Sequence, residues 1–277
     1  MKISLITACY KSAGTLRTAM NSVLEQKGVD LDYIVVDGGS DDGTVELLKE
    51  YETKFAGRMC WISEKDQGMY DAINKGIKMA TGDVVGILNA DDVLESPDTL
   101  AHIAAAFNPS QVLDTRQTTQ NSTTLPPTHY STIDCVYADI RFVKSDLETT
   151  VRYYSAKHWQ PWMFQWGKMP PHPSVYIKRK LFERHGLYKL GYDIAADYEL
   201  LVRYLRKAGV TARYIAGSVV RMRMGGKSTR GWRSNLKLNQ EIVRANRENG
   251  YFCCLPMLLP KYLFKIFEFI LPRLGIK

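Results

Sequence analysis

Carboxylates follow apolar segments at several points in this 277-residue chain, and their positions favour chemistry on a phosphate-bearing ligand. Asp91 and Asp92 come directly after the apolar segment 84–88. Two adjacent carboxylates repel each other unless a cation neutralises them, and Mg²⁺ or Mn²⁺ held by oxygen ligands keeps positions open for substrate phosphates. The pair is equally consistent with aspartates that cap a following helix.

Two further aspartates also have a structural and a chemical interpretation. Asp37 ends the apolar run 33–36 and precedes two glycines; it predicts either a hydrogen bond to a nucleobase or ribose, or a turn. Asp197 begins a predicted helix over 195–207, where the helix dipole keeps a carboxylate ionised. It is either an ordinary helix-start residue or a general base within reach of a hydroxyl group.

Basic and aromatic side chains form a second set of candidates. Lys227 and Arg230 lie in a Gly-rich segment that lacks the spacing of a phosphate-binding P-loop, so they either reach a diphosphate or belong to a solvated turn. His172 either lines a pocket or is a structural histidine. The cluster Trp159, Trp162 and Trp166 suits a sugar or lipid face, although core packing is expected for at least one of the three.

Hydrophobic periodicity indicates the elements that position these residues. Apolar runs alternate with amphipathic helical stripes, an order typical of a mainly parallel sheet flanked by helices. The predicted strands are 2–9, 33–36, 60–63 and 84–88, followed by 135–139, 174–177, 212–215 and 219–224. Ligands of such sheets bind at the carboxyl ends of the strands. The polar clusters 7–10, 37–43, 63–68 and 89–92 fall there.

Composition and charge narrow the class of protein. With 45% hydrophobic and 24% charged residues, the chain is neither a disordered protein nor a fibre. Residues 1–200 hold 21 Lys and Arg against 26 acidic residues, whereas residues 201–250 hold 12 against 2. This distribution is not that of a nucleic-acid binder, and it suits phosphates or an anionic membrane surface near the last third of the chain.

The segment 251–277 is apolar but interrupted by charge. Lys261, Lys265 and Glu268 recur at helical spacing, which predicts an amphipathic helix in the membrane interface, with Arg273 and Lys277 also toward the headgroups. A helix docked on the rest of the chain or on a dimer partner is the alternative. No segment reaches the ~18 uninterrupted apolar residues of a membrane-spanning helix.

Taken together, the motifs resemble family 2 of the inverting glycosyltransferases, which have the GT-A nucleotide-sugar-binding fold. The resemblance spans roughly residues 1–230 and rests on several segments in the expected order. They are ITACY at 6–10, VVDGGSDDGT at 35–44, SEKDQGMYDAINKG at 63–76, LNADD at 88–92, HPS at 172–174 and ADYEL at 196–200.

The resemblance implies a role for each matching residue. Thr7, Ala8, Tyr10 and Asp37 would surround the base and ribose, with Lys65, Asp66 and Asn89 also near the nucleotide. Asp91 would lie near the ribose and diphosphate, Asp92 together with Asp91 would bind Mg²⁺ or Mn²⁺, and Asp197 would be the catalytic base. His172, in the HPS motif, would contact the acceptor or the diphosphate; Trp166, Lys227 and Arg230 lie outside the matching motifs and are assigned to the same region from their residue types.

The resemblance also implies an organisation and a setting. Residues 1–230 would form the catalytic domain. The composition of 108–132, rich in Thr, Ser, Gln and Pro, separately indicates a flexible insertion, and the charge and apolar pattern of 231–277 indicates a basic, amphipathic helical extension. The enzyme would move a sugar from a nucleotide-sugar, with UDP favoured, to a glycan or polyprenyl-linked acceptor in bacterial surface-polysaccharide synthesis. It would lie in the cytoplasm, on the inner face of the plasma membrane. A sugar-1-phosphate nucleotidyltransferase and a non-catalytic nucleotide-sugar-binding protein are the alternatives.

Overall fold

A computed structural model describes residues 1–108, 132–224 and 231–262. Its strands are β1 (Lys2–Cys9), β2 (Asp30–Asp37), β3 (Met59–Ser63), β4 (Val84–Ile87), β5 (Val93–Leu94), β6 (Cys135–Val143), β7 (Thr150–Tyr154), β8 (Tyr176–Lys178) and β9 (Ala212–Arg223). Its α-helices are α1 (Ala13–Leu24), α2 (Thr44–Phe55), α3 (Met69–Met79), α4 (Thr99–Ala106), α5 (Lys180–His185), α6 (Ala196–Leu201) and α7 (Gly231–Glu248). Short 3₁₀ helices cover Pro161–Trp166, His172–Ser174 and Leu255–Leu258, and a π-helix over Val202–Lys207 continues α6.

The described strands form a single sheet in the order β3-β2-β1-β4-β8-β6-β9-β5, with β7 paired to β6. The first four strands are parallel, as the alternation of strands and helices predicts. Beyond β4 the sheet is mixed, because β8 runs antiparallel to both β4 and β6. Cys9 pairs with Asp37 and Asp37 with Ser63, so the polar segments after β1, β2 and β3 begin at one edge of the sheet.

Helices cover both faces of the sheet, since side chains of a strand alternate between its two faces. On one face α1, α2 and α4 bury residues such as Leu16, Leu48 and Ile103 against Leu5 of β1. On the other face α3, α6 and α7 pack around Ile6, the next residue of the same strand. The central strands are therefore apolar on both sides, which explains their uninterrupted hydrophobic runs.

The last part of the sheet differs from the prediction of two separate strands near 212–215 and 219–224. β9 is continuous, but its register against β6 shifts on both sides of Asp139. Gly217 adopts φ of 100° within this irregular part. A strand that bulges through a glycine breaks the alternating pattern, which is why the sequence indicates two short strands.

The helix α7 begins where the predicted catalytic domain ends, and it packs on that domain. Its side chains Ile242 and Ala245 lie in the same core as α3 and α6. Leu258, in the 3₁₀ helix beyond it, is also buried. No helix in the described ranges is long and apolar enough to cross a membrane.

Candidate functional site

Asp37, at the end of β2, organises the loop that follows it. Its Oδ2 accepts hydrogen bonds from the amides of Gly39 (3.1 Å) and Ser40 (2.9 Å) and from the Ser63 hydroxyl (2.6 Å), and its Oδ1 accepts from the Ser40 hydroxyl (2.5 Å). The side chain is fully buried. These hydrogen bonds fix the conformation of the loop from its buried side. They favour the interpretation of Asp37 as a turn residue over direct contact with a ligand.

Tyr10 and Asp66 converge over Gly38, on the outer side of the same loop. A Cβ atom built on Gly38 would lie 2.6 Å from Asp66 Oδ2 and 3.2 Å from Tyr10 Cδ2. Glycine at position 38 therefore leaves the space that the Asp66 carboxylate occupies. The ring of Tyr10 is 60% exposed, so an aromatic face and a carboxylate lie side by side at the sheet edge.

The adjacent aspartates after β4 occupy different environments. Asp92 is fully buried, and its two oxygens accept hydrogen bonds from Asn89 Nδ2 (2.7 Å) and from the Arg223 amide at the end of β9 (3.0 Å). Burial, reinforced by the negative charge of Asp91, raises the pKa of Asp92 to about 7. The sequence predicts both Asp92 and Asp91 as metal ligands; in the structure Asp91 is partly exposed, whereas the buried Asp92 joins the loop after β4 to the end of β9.

The donor set suits a divalent ion that is shared with a diphosphate. Within the described part of the chain, no group of three or more His, Cys, Asp or Glu side chains is arranged to hold a metal ion. Mg²⁺ and Mn²⁺ are commonly bound by one or two carboxylates together with substrate phosphates. The partly exposed Asp91 carboxylate, next to the buried Asp92 in the same loop, fits this mode of binding.

Asp197 begins the short helix α6. Its Oδ1 accepts a hydrogen bond from the Tyr198 amide at 2.7 Å and lies 3.4 Å from the Tyr70 hydroxyl. Burial raises the pKa of Asp197 above its usual value, although nearby His172 and these hydrogen bonds oppose the shift. A carboxylate with a raised pKa is a better proton acceptor than an ordinary surface aspartate.

An aromatic cluster surrounds Asp197. The Tyr70 hydroxyl donates to the Ile194 carbonyl at 2.5 Å, and the Tyr70 and Tyr188 rings stack with centroids 5.8 Å apart. His172 Nε2 is 2.7 Å from the Tyr188 hydroxyl, and burial lowers the pKa of His172, so its ring is neutral at pH 7. Tyr70 follows Asp66 by only four residues. The chain therefore leads directly from the Asp66 carboxylate, which lies beside Tyr10, to the aromatic cluster around Asp197.

The remaining predicted residues fall into three groups. Thr7 is fully buried and accepts a hydrogen bond from the Tyr33 hydroxyl at 3.1 Å, so it faces the core; Ala8, the next residue, is partly exposed. Lys65 and Trp166 are exposed, the latter at the end of a 3₁₀ helix. Lys227 and Arg230, like most of 108–132 and residues 263–277, lie outside the described residues.

Comparison with known proteins decides the family. The model of "Glycosyl transferase family 2" matches residues 4–182, well over half of the chain. The chain belongs to this family. A "PGL/p-HBAD biosynthesis glycosyltransferase" of Mycobacterium bovis BCG is 28% identical over 212 residues, which is 76% of this chain and 73% of that one. An uncharacterised glycosyltransferase of Mycobacterium tuberculosis is 30% identical over 203 residues, 73% of this chain and 68% of its own.

Solved structures show the same fold in this family 2 glycosyltransferase. S. aureus TarS 1-349 in complex with UDP-GlcNAc superposes with a TM-score of 0.58 at 16% identity, over 88% of this chain and 66% of that one. The mannosyltransferase PcManGT of Pyrobaculum calidifontis, in complex with GDP-Man and Mn²⁺, also gives 0.58 at 20% identity, over 89% and 63%. These likenesses confirm the predicted GT-A fold.

Tyr70 and Tyr188 are the members of the site that sequence reasoning missed. Tyr70 lies inside the motif at 63–76, and its hydroxyl donates to the carbonyl of Ile194, 124 residues away. Asn74 of the same motif exchanges two hydrogen bonds with the backbone of Tyr188, at 2.9 and 3.0 Å. Tyr70 and Asn74 are polar residues among the apolar positions of α3, and this is the sequence feature that could have indicated their tertiary contacts.

Proposed function

We propose that this glycosyltransferase is an inverting enzyme that moves a sugar from a nucleoside-diphosphate sugar to a hydroxyl group of a glycan or lipid-linked acceptor. The observation that carries the proposal is the position of Asp197. Its carboxylate lies in a buried aromatic cluster, and Tyr70 connects it to the loop that holds Asp66. A base beside a nucleotide site is the arrangement that direct displacement requires.

The nucleotide end of the site is assigned to Tyr10, Asp66 and Asp91. The Tyr10 ring is placed to stack on a base, and the Asp66 carboxylate beside it is placed to accept an N–H of that base. UDP is the favoured nucleotide, and GDP and dTDP are the alternatives, since uracil, guanine and thymine all present such an N–H group. Asp91 would hold Mg²⁺ or Mn²⁺, which supplies charge stabilisation for the departing diphosphate when bound.

Transfer is proposed to occur in one displacement. The acceptor hydroxyl approaches the face of the sugar opposite the diphosphate, and Asp197 takes its proton as the new C–O bond forms at the anomeric carbon. The bond between that carbon and the diphosphate oxygen breaks, so the configuration inverts. The neutral His172, held by Tyr188, would face the acceptor near the base.

A lipid-linked acceptor of surface-polysaccharide synthesis is favoured by an exposed apolar surface beside the base. Phe164 packs its ring against Tyr198, the residue after Asp197, with centroids 5.4 Å apart. Trp162 and Trp166 of the same 3₁₀ helix are 55% and 39% exposed. Gln165 Nε2 donates to the Phe252 carbonyl at 2.8 Å, which brings the exposed side chains of Phe252, Leu255 and Leu259 to the same region.

This surface would rest on the inner face of an anionic membrane, together with the rest of 251–277. Residues 249–262 contain no acidic residue, and neither do residues 200–240. Exposed Trp, Phe and Leu side chains next to basic residues are typical of proteins that bind at the membrane interface. The membrane would then present the acceptor to Asp197.

Release of nucleoside diphosphate from UDP-, GDP- and dTDP-sugars, with Mn²⁺, Mg²⁺ or EDTA, tests the transfer reaction. We expect metal-dependent release from one donor, and faster release when a polyprenyl-linked glycan is added. Donor binding by calorimetry without any release in the presence of lipid-linked acceptors would favour the non-catalytic alternative. Formation of nucleotide-sugar from sugar-1-phosphate and nucleoside triphosphate would favour the nucleotidyltransferase.

Flotation with vesicles of anionic and neutral lipid tests the membrane surface. Deletion of 256–277 would remove the buried Leu258, so the substitutions Leu255→Ser and Leu259→Ser, at exposed positions, are the better probes. We expect them to weaken binding to anionic vesicles. Leu190→Ser, at a 48% exposed residue of a separate loop, is the matched control. Equal flotation of all variants would exclude this surface.

A further inference from the structure

The buried carboxylate of Glu241, on α7, binds the backbone just before α6. Its Oε1 accepts a hydrogen bond from the Asp193 amide (2.9 Å), and its Oε2 accepts from the amides of Ile194 (2.9 Å) and Ala195 (2.8 Å). The side chain is only 4% exposed. Three successive amides on one carboxylate form an unusually complete contact, because backbone donors ahead of a helix have no partner within the helix.

The same segment is held from its other side by the site itself. The Ile194 amide donates to Glu241, and the Ile194 carbonyl accepts from the Tyr70 hydroxyl at 2.5 Å. Asp197 follows three residues later, at the first turn of α6. The position of the Asp197 carboxylate therefore depends on two fixed points, one on α3 and one on α7.

The helix α7 has other contacts that keep it in place without Glu241. Ile242 and Ala245 are in the core, and Arg244 Nη1 donates to the Gly191 carbonyl at 2.9 Å. Asn249 Nδ2 contacts Glu199 at 3.2 Å, and Glu248 bonds to Lys189 at 3.0 Å. A substitution at Glu241 thus removes the contact with 193–195 while the docking of α7 retains its remaining support.

We propose that Glu241 is a positioning residue for glycosyl transfer: it fixes the backbone of 193–195 and thereby the place of the Asp197 carboxylate. This inference rests on the proposed function of Asp197. It assigns to α7 a part in the active site, although α7 lies beyond residues 4–182, where the family match ends. The catalytic unit then extends past residue 230 to at least Glu241.

The test compares Glu241→Gln and Glu241→Asp with the control Glu248→Gln. Glutamine keeps the length of the side chain but offers one acceptor oxygen, and its amide group meets backbone donors. Aspartate keeps the charge and is one methylene shorter. Glu248 lies two turns further along α7. It contacts Lys189, Tyr192 and Arg244 rather than residues 193–195.

Two readouts are measured at a temperature where every variant is folded. Hydrogen exchange at the amides of 193–195 reports the contact itself, and we expect roughly tenfold faster exchange in Glu241→Gln. Steady-state kinetics report the consequence. We expect kcat to fall about 10- to 100-fold with the KM for donor unchanged, since a small misplacement of a reacting group has effects of this size. Glu241→Asp should recover part of the loss, and Glu248→Gln should match the wild type in both readouts.

The outcomes separate the inference from the function on which it rests. Unchanged amide exchange in Glu241→Gln overturns the contact whatever the activity. Faster exchange with wild-type kcat, in an enzyme that Asp197→Asn inactivates, overturns the positioning role and leaves the proposed function intact. An active Asp197→Asn variant overturns the assignment of the base, and with it the role of Glu241. Equal losses in kcat for Glu241→Gln and Glu248→Gln would indicate a general effect on α7 and would also overturn the inference.

Discussion

Substitutions at Asp92 should lower the stability of the fold, whereas substitutions at Asp91 should weaken metal-dependent donor binding and leave stability nearly unchanged. Asp92→Ala leaves two partly buried donors, Asn89 Nδ2 and the Arg223 amide, without the oxygens they now contact. A fully buried unpaired donor costs about 1–3 kcal/mol, so for these two partly buried donors we expect a loss of about 2–4 kcal/mol in the free energy of unfolding. For a chain of this size that is roughly 4–12 °C in Tm.

The matched substitutions to asparagine replace an ionisable carboxyl with a neutral amide at each position, with little change in shape. Asp92→Asn keeps an acceptor for the Arg223 amide, and the Asn89 amide can turn to offer its oxygen, so the expected loss is only about 1–2 kcal/mol. Asp91→Asn alters a partly exposed side chain, and we expect a stability change within about 0.5 kcal/mol. It should nevertheless abolish the Mn²⁺-dependent part of donor binding.

Thermal unfolding and calorimetric titration with a UDP-sugar, with Mn²⁺ and with EDTA, measure the two effects on the same samples. The reasoning fails if Asp91→Asn binds donor in the metal-dependent manner of the wild type. It also fails if Asp92→Asn keeps the wild-type Tm and loses that binding, because Asp92 would then be the metal ligand that the motif alone suggests.

Three other predictions concern the base and the nucleotide site. Asp197→Asn should bind donor normally and lose transfer by about 10²- to 10⁴-fold, the usual contribution of a general base; normal turnover would show that another group takes the proton. Because burial raises the pKa of Asp197 and the base acts only when ionised, kcat should fall on the acid side at a pH above the ordinary aspartate value of about 3.9. A kcat profile that is flat down to that value would contradict this. Gly38→Ala should weaken donor binding by displacing the Asp66 carboxylate, 2.6 Å from the new methyl group, whereas Gly14→Ala, with nothing within 4 Å, should bind as the wild type does. Equal donor affinities in calorimetry would show that Asp66 is not part of the nucleotide site.

The sequence predicts the parallel half of this fold well because its signals are local. Each of β1 to β4 is a short apolar run, and the helices between them carry a regular stripe of buried residues. The mixed half is less readable, because β9 owes its pairing with β6 to contacts across a long sequence separation. Tyr153 and Tyr214, for example, both donate to the buried Asp139 at 2.8 Å, and no local pattern reveals that shared acceptor.

The residues of the candidate site, like the strands, could be predicted from the sequence only in part. The motifs contain Tyr10, Asp66, Asp91 and Asp197, none of which is fully buried by its neighbours. They did not distinguish these residues from buried neighbours with the same chemistry. Asp37 and Asp92 are fully buried and satisfied by hydrogen bonds from the chain, and a sequence motif contains both kinds of carboxylate because both are needed to form the loop.

The distribution of supporting contacts explains why the proposed base, Asp197, is far in sequence from the motifs proposed to bind the nucleotide. Asp66 and Asp91 sit on loops that follow β3 and β4, strands of one sheet separated by β2 and β1, and the sheet itself fixes their spacing. Asp197 is on a six-residue helix, too short to be stable without tertiary contacts. Its position has to come from partners, and these are Tyr70 on α3 and Glu241 on α7. Since an error of about 1 Å at a reacting group can cost 10²-fold in rate, a base supplied by so short an element requires such bracing from both sides.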